Sequence, residues 1–285
     1  TEKNKNSSNH LFYNLEKDLD FQYFDQSNLE LIIEKTSNDT YLRANKLESP
    51  IINEYSVLEN SFNLNMYSDD FAIDTQFTIY ENLDKDKTDR YEYILPELNI
   101  SKKFENKTSL DGTFVFNSKN LFKNYDTNVS EKININDLVF NSNPKISNNG
   151  FYSNYEFIIK NSNSDANNSG NYKNKENYYL GALFQYNTSL PLVKENTEFQ
   201  NILSPKISLK IGPDHTKDKR DSFTRLDVNN IYGLNRLASD DALEGGLSVS
   251  YGSEFTRINK ENSREDFVFK IANNIRLDEN EDLPK

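Results

Sequence analysis

Asn235, Arg236, Asp240, Asp241 and Glu244 crowd into one short polar stretch, and their types favour one kind of chemistry. A planar guanidinium and a carboxylate can lock together through two parallel hydrogen bonds. A buried or lumen-facing arginine is stable only when it is paired in this way. The expected work of the group is therefore mechanical, fixing a loop that lies between two strands. The rival reading is that the charges merely solvate that loop, since exposed ion pairs contribute little.

Reactive chemistry finds less support. His10 and His215 are the only imidazoles. His10 sits in a polar stretch, and His215 follows Gly212 and Pro213 in a charged one. Neither stands beside a serine in a recognisable nucleophile motif, so no enzyme activity is expected. Acidic groups recur at Asp69 and Asp70, Asp84 and Asp86, Asp240 and Asp241, and Glu279, Glu281 and Asp282. They lack EF-hand spacing and a glycine-rich calcium repeat, so solvated turns are expected rather than a metal site. With no cysteine there is neither a disulfide nor a thiolate ligand. No cofactor is implied. A formal net charge of -12 argues against nucleic acid as a partner.

The elements that must hold these residues are strands. Phe71, Ile73, Phe77 and Ile79 alternate with Ala72, Asp74, Gln76 and Thr78, the period-two pattern of a strand with one apolar face. Leu58, Phe62, Leu64 and Met66 alternate likewise just before, and Ser68, Asp69 and Asp70 form the turn of a hairpin. The same alternation is expected over Leu11–Tyr23, Leu29–Ile33, Tyr93–Phe104, Leu110–Phe116, Phe151–Ile159, Tyr178–Leu190, Phe199–Ile211, Leu247–Phe255 and Phe267–Leu277. The gaps Asn161–Glu176 and Asp214–Asp221 have loop composition. No helical stripe is evident, and no apolar run is long enough for a membrane helix.

Only 35% of residues are hydrophobic, yet 17 Tyr and 19 Phe exclude simple disorder. A barrel wall reconciles the two, because every second residue faces lipid and the rest face a polar lumen. The expected fold is all-β: an antiparallel up-and-down transmembrane β-barrel, here a partial barrel of about a dozen strands forming a single segment over residues 1–285. The polar N-terminus holds no signal peptide, so a processed chain or an excised fragment is expected. A soluble β-sheet protein shares the same average composition and is the alternative.

The stretch Leu226–Phe255 resembles the signature of the lipopolysaccharide-assembly outer-membrane proteins, the LptD family. Asn230, Ile231, Tyr232, Asn235, Arg236, Asp241, Glu244, Gly246, Tyr251 and Gly252 fall in place. Leu237, Ser239 and Ala242 depart from the pattern, the last replacing an arginine. Ser37–Arg43, Leu95–Pro96, as a strand start, and Ser204–Pro213 add weaker matches in the same order. The resemblance implies a barrel in the bacterial outer membrane that receives lipopolysaccharide from a periplasmic bridge and releases it to the outer leaflet. It also implies a plug lipoprotein in the lumen and membrane lipid around the wall. A passive porin or receptor barrel is the main functional alternative.

Overall fold

The computed structural model describes residues 9–47, 55–104, 110–220, 225–237, 239–278 and 280–284. Asp221 and Glu279 lie outside them. Among the described residues the chain is all-β apart from one five-residue helix, α1 (Tyr41–Asn45). Its strands are β1 (His10–Asp18), β2 (Gln26–Thr36), β3 (Val57–Tyr67), β4 (Phe71–Asn82), β5 (Tyr91–Phe104), β6 (Gly112–Tyr125), β7 (Val129–Ser142), β8 (Lys145–Ile146), β9 (Tyr152–Asn167), β10 (Asn177–Ser189), β11 (Leu192–Glu195), β12 (Phe199–Gly212), β13 (Gly246–Asn259) and β14 (Arg264–Arg276). They belong to one 14-stranded sheet in the order β1-β2-β3-β4-β5-β6-β7-β9-β10-β12-β13-β14, with β8 on β9 and β11 on β12. Long strands next to each other in the chain are hydrogen-bonded neighbours, a meander of the kind the alternation implies.

The residues form two compact units, one of Thr1–Lys102, Asn117–Asn136 and Asn163–Tyr178, the other of Lys103–Phe116, Asp137–Ser162 and Tyr179–Lys285. In the first, Leu31 pairs with Phe62 and Phe62 with Phe77, setting one apolar row across β2, β3 and β4. The faces are inverted relative to a soluble sheet: Phe77 is 39% exposed and its neighbour Thr78 is 0% exposed. β5 contains a phase change. Tyr91 and Tyr93 share a face with Leu98 and Ile100, an odd spacing that a bulge opposite Gln76–Thr78 absorbs. Leu95–Pro96 lies in that bulge rather than at a strand start, which suits a residue with no N–H to give to the ladder. Helix α1 caps a small core in which Leu42, Leu58 and Leu83 are buried. One turn is too short to leave a helical stripe in the sequence.

Sequence composition misplaces three strands here. β6 runs beyond Phe116 to Tyr125, β9 runs beyond Ile159 to Asn167, and β7 is not anticipated at all. Asparagine is rare in strands because its amide competes for backbone hydrogen bonds. In this sheet the amides bond one another instead. Asn134 donates to Asn120 (2.6 Å) and accepts from Asn136 (2.7 Å) and Asn163 (3.1 Å), while Ser118 donates to Asn136 (2.8 Å).

The second unit repeats the inversion more strongly. In β10, Leu180, Phe184 and Tyr186 are exposed, whereas Tyr179, Leu183 and Gln185 between them are buried. In β12, Ile207 is 52% exposed while Lys210 is 3% exposed. Register stacks like on like. Leu209, Val249 and Ile275 form one row on the apolar face, and Gln185, Lys210, Ser248 and Arg276 form a row on the polar face across β10, β12, β13 and β14.

Candidate functional site

That polar row is covered by described residues of the connection between β12 and β13, which spans residues 213–245. It leaves and returns through opposed glycines, Gly212 and Gly246, which are register partners. Gly246 has φ 87°, the left-handed region that costs other residues about 1–2 kcal/mol. A Cβ on Gly245 would stand 2.5 Å from the Pro213 carbonyl oxygen, so the two ends of the loop pinch together only with glycine there.

The largest group of contacts gathers at one carboxylate. Arg236 Nε donates to Glu244 Oε2 (2.7 Å) and Arg236 Nη2 to Glu244 Oε1, the bidentate pair. From the strands, Arg276 Nη1 reaches Glu244 Oε1 at 2.9 Å and Lys210 Nζ reaches Oε2 at 3.5 Å. Arg236 also donates to Ser248 (3.0 Å) and Ser250 (3.3 Å), which tie it to β13. Asn235 braces the same turn with both ends of its amide, donating to the Ala242 carbonyl (3.0 Å) and accepting from the Glu244 N–H (3.2 Å). Strand side chains satisfy loop carbonyls in return: Lys210 donates to Gly233 (2.6 Å) and Gln185 to Tyr232 (2.6 Å).

Asp241 belongs to a separate pair of contacts. Lys217 (3.0 Å) and Lys219 (2.7 Å) hold it, with Ser239 donating as well. Asp240 contributes its carbonyl, accepting from buried Lys160 at 2.7 Å, and Lys160 in turn pairs with Asp137 at 2.7 Å. Beneath these contacts Ile158, Tyr179, Leu183 and Leu243 form a small apolar core, with Val139 and Leu234 against it. Gly252 leaves room for the Tyr232 ring, since an added Cβ would lie 2.6 Å from its hydroxyl.

Electrostatics keep both acids ionised. Burial pushes the Asp241 carboxyl up, but hydrogen bonds from Lys219, Ser239 and Lys217 outweigh it and hold the group at about 2. Burial likewise opposes ionisation of Glu244, and the Arg236 hydrogen bonds with the charges of Lys210, Arg236 and Arg276 bring it below the usual carboxylate range. Ringed by cations, Glu244 is an anchor and not a proton acceptor near neutrality.

The sequence therefore brings Asn235, Arg236 and Glu244 together, sets Asp241 apart, and gives Gly246 a turn. It did not disclose Lys210, Arg276, Lys217 or Lys219, whose places depend on register and on the course of the loop. His215 Nε2 lies 2.9 Å from the Leu180 carbonyl oxygen, and the His10 ring packs on Phe12 and Tyr41. Asp70 pairs with Lys102 and Asp84 with Arg43, each at 2.6 Å. Among the described residues no three His, Cys, Asp or Glu gather as a metal site, and no helix is long and apolar enough to cross a membrane. No family model matches the chain, and no curated protein matches it significantly.

Proposed function

We propose that the chain is part of the wall of an outer-membrane β-barrel that passes lipopolysaccharide to the outer leaflet. The observation that supports this most is the inverted sheet, on which Leu180, Ile207, Phe269 and Ile271 are exposed while Gln185, Ser208 and Lys210 are covered. Exposed apolar area of this extent costs about 25 cal/mol per Å² in water and nothing against lipid tails. Strands of 14 residues, as in β12 and β13, exceed the roughly 9–11 that a bilayer needs. The signature-like stretch around Arg236 supports lipopolysaccharide as the cargo, with a plug lipoprotein and a periplasmic bridge as partners. In this reading the 213–245 loop lies on the lumen side, and the polar row beneath it fixes the loop against the wall.

The chain has no tryptophan, so single tryptophans report cleanly. In vesicles of brominated lipid, Ile207→Trp is expected to be quenched and Ser208→Trp is not. Equal quenching at both positions, or a chain that stays dispersed without detergent, would overturn the wall. A photocrosslinker at position 206 should capture lipopolysaccharide in cells. A quenched wall with no such adduct, and with solute conductance, would leave the wall standing and replace the cargo by a porin's.

A further inference from the structure

A cleft lies within the first unit. It encloses about 350 Å³ and is lined by Asn120, Phe122, Lys132, Asn134, Asp165 and Tyr178 among others. That volume falls in the range of small-molecule sites, about 300–1,000 Å³. We propose that this cleft binds a neutral saccharide.

The chemistry of the lining argues for it. Tyr178 is 71% exposed, a large ring face left in water at the cleft's edge. Phe122 provides a second ring, with the Lys132 ammonium 5.8 Å from its centroid. Aromatic faces pack against the C–H faces of a pyranose, which are apolar in an otherwise hydroxylated ring. Asn120, Asn134 and Asn163 add amides to a lining that is otherwise largely apolar. A side-chain amide has two N–H donors, and one that the sheet does not use can donate to a sugar hydroxyl. Asn134 and Asn120 each spend one N–H inside the ladder, on Asn120 (2.6 Å) and Ser118 (3.2 Å). The ladder also fixes their rotamers, so little side-chain entropy remains to be lost on binding.

Charge selects among hydroxylated ligands. Lys132 is paired with Asp165 at 3.3 Å, and Glu176, whose carboxylate accepts from the Tyr178 hydroxyl at 3.1 Å, adds a further negative charge. A phosphate or a uronate would meet a cleft already on the acidic side of neutral. An uncharged glycan meets no such penalty.

The test is an array of neutral hexose and N-acetylhexosamine oligosaccharides with their sulfated and phosphorylated counterparts, probed with the full chain. Neutral glycans should retain it. Tyr178→Ala should weaken retention at least tenfold, and Tyr178→Phe, which keeps the ring, should restore it. Because the Tyr178 ring is largely in water, its loss leaves the sheet intact, and circular dichroism of both variants checks this. Retention by anionic glycans alone, by none, or equally by Tyr178→Ala would overturn the proposal. The tryptophan quenching experiment reads the wall separately, so either result can fail without the other.

Discussion

Two groups of ion pairs, one in each unit, meet opposite circumstances. In the first, Arg43–Asp84 and Lys85–Asp126 have side chains about half in water: 55% and 52% exposed for one pair, 46% for both members of the other. In the second, Arg236–Glu244 has side chains 2% and 7% exposed, with Lys210 and Arg276 brought to the same carboxylate. The residue types and contact distances are similar. What differs is the water, and with it the cost of losing a partner.

The largest expected effect is therefore at Glu244. Glu244→Ala leaves Arg236, Arg276 and Lys210 without their shared acid on a covered surface, and removal of one partner from such a site costs about 3–5 kcal/mol. Denaturant unfolding, with limited proteolysis within residues 213–245, measures it. A loss under about 1 kcal/mol would put the buried network on a par with an exposed ion pair. Next comes Gly252→Ala, whose Cβ would meet the Ile271 carbonyl oxygen at 2.2 Å as well as the Tyr232 hydroxyl. Overpacking of this kind costs about 1–3 kcal/mol, read as faster amide exchange in β13 and β14.

Acid sharpens the contrast. Asp241 titrates at about 2 in the folded chain against 3.8 ordinarily. A depressed carboxylate adds stability that is complete above its ordinary value and disappears as pH falls through its folded one. Cleavage within the loop should therefore rise between about pH 4 and pH 2, and Asp241→Asn should reduce that rise, the remainder coming from Glu244. Asn134→Ala takes away the hub of the amide ladder and should cost about 0.5–1.5 kcal/mol, seen as faster exchange in β7. The smallest effect is at Arg43→Ala, expected at about 0–1 kcal/mol and abolished by salt.

Much of the meander was legible, because one face of each hairpin strand is apolar and period two shows through, as in Phe71–Ile79. β7 was not. Its Asn134 and Asn136 read as loop residues, and only their partners on β6 and β9 make them strand residues. At the site, Arg236 and Glu244 are eight positions apart and the need for a carboxylate could be read directly. The cations Lys210 and Arg276 could not. Each lies on the polar face of an alternating strand, where a basic residue is unremarkable, and only register sets them in one row with Ser248.

The bulge in β5 has a practical consequence for editing the chain. Residues Tyr91 to Ile94 and residues Glu97 to Lys102 pair with β4 in two different frames. Deleting one residue at the junction would merge the frames into an unbroken ladder with every apolar side chain still on its own side. The same deletion in the middle of β4 would turn half of that strand inside out. Length variants can therefore be tolerated at this joint and not in the hairpin it closes.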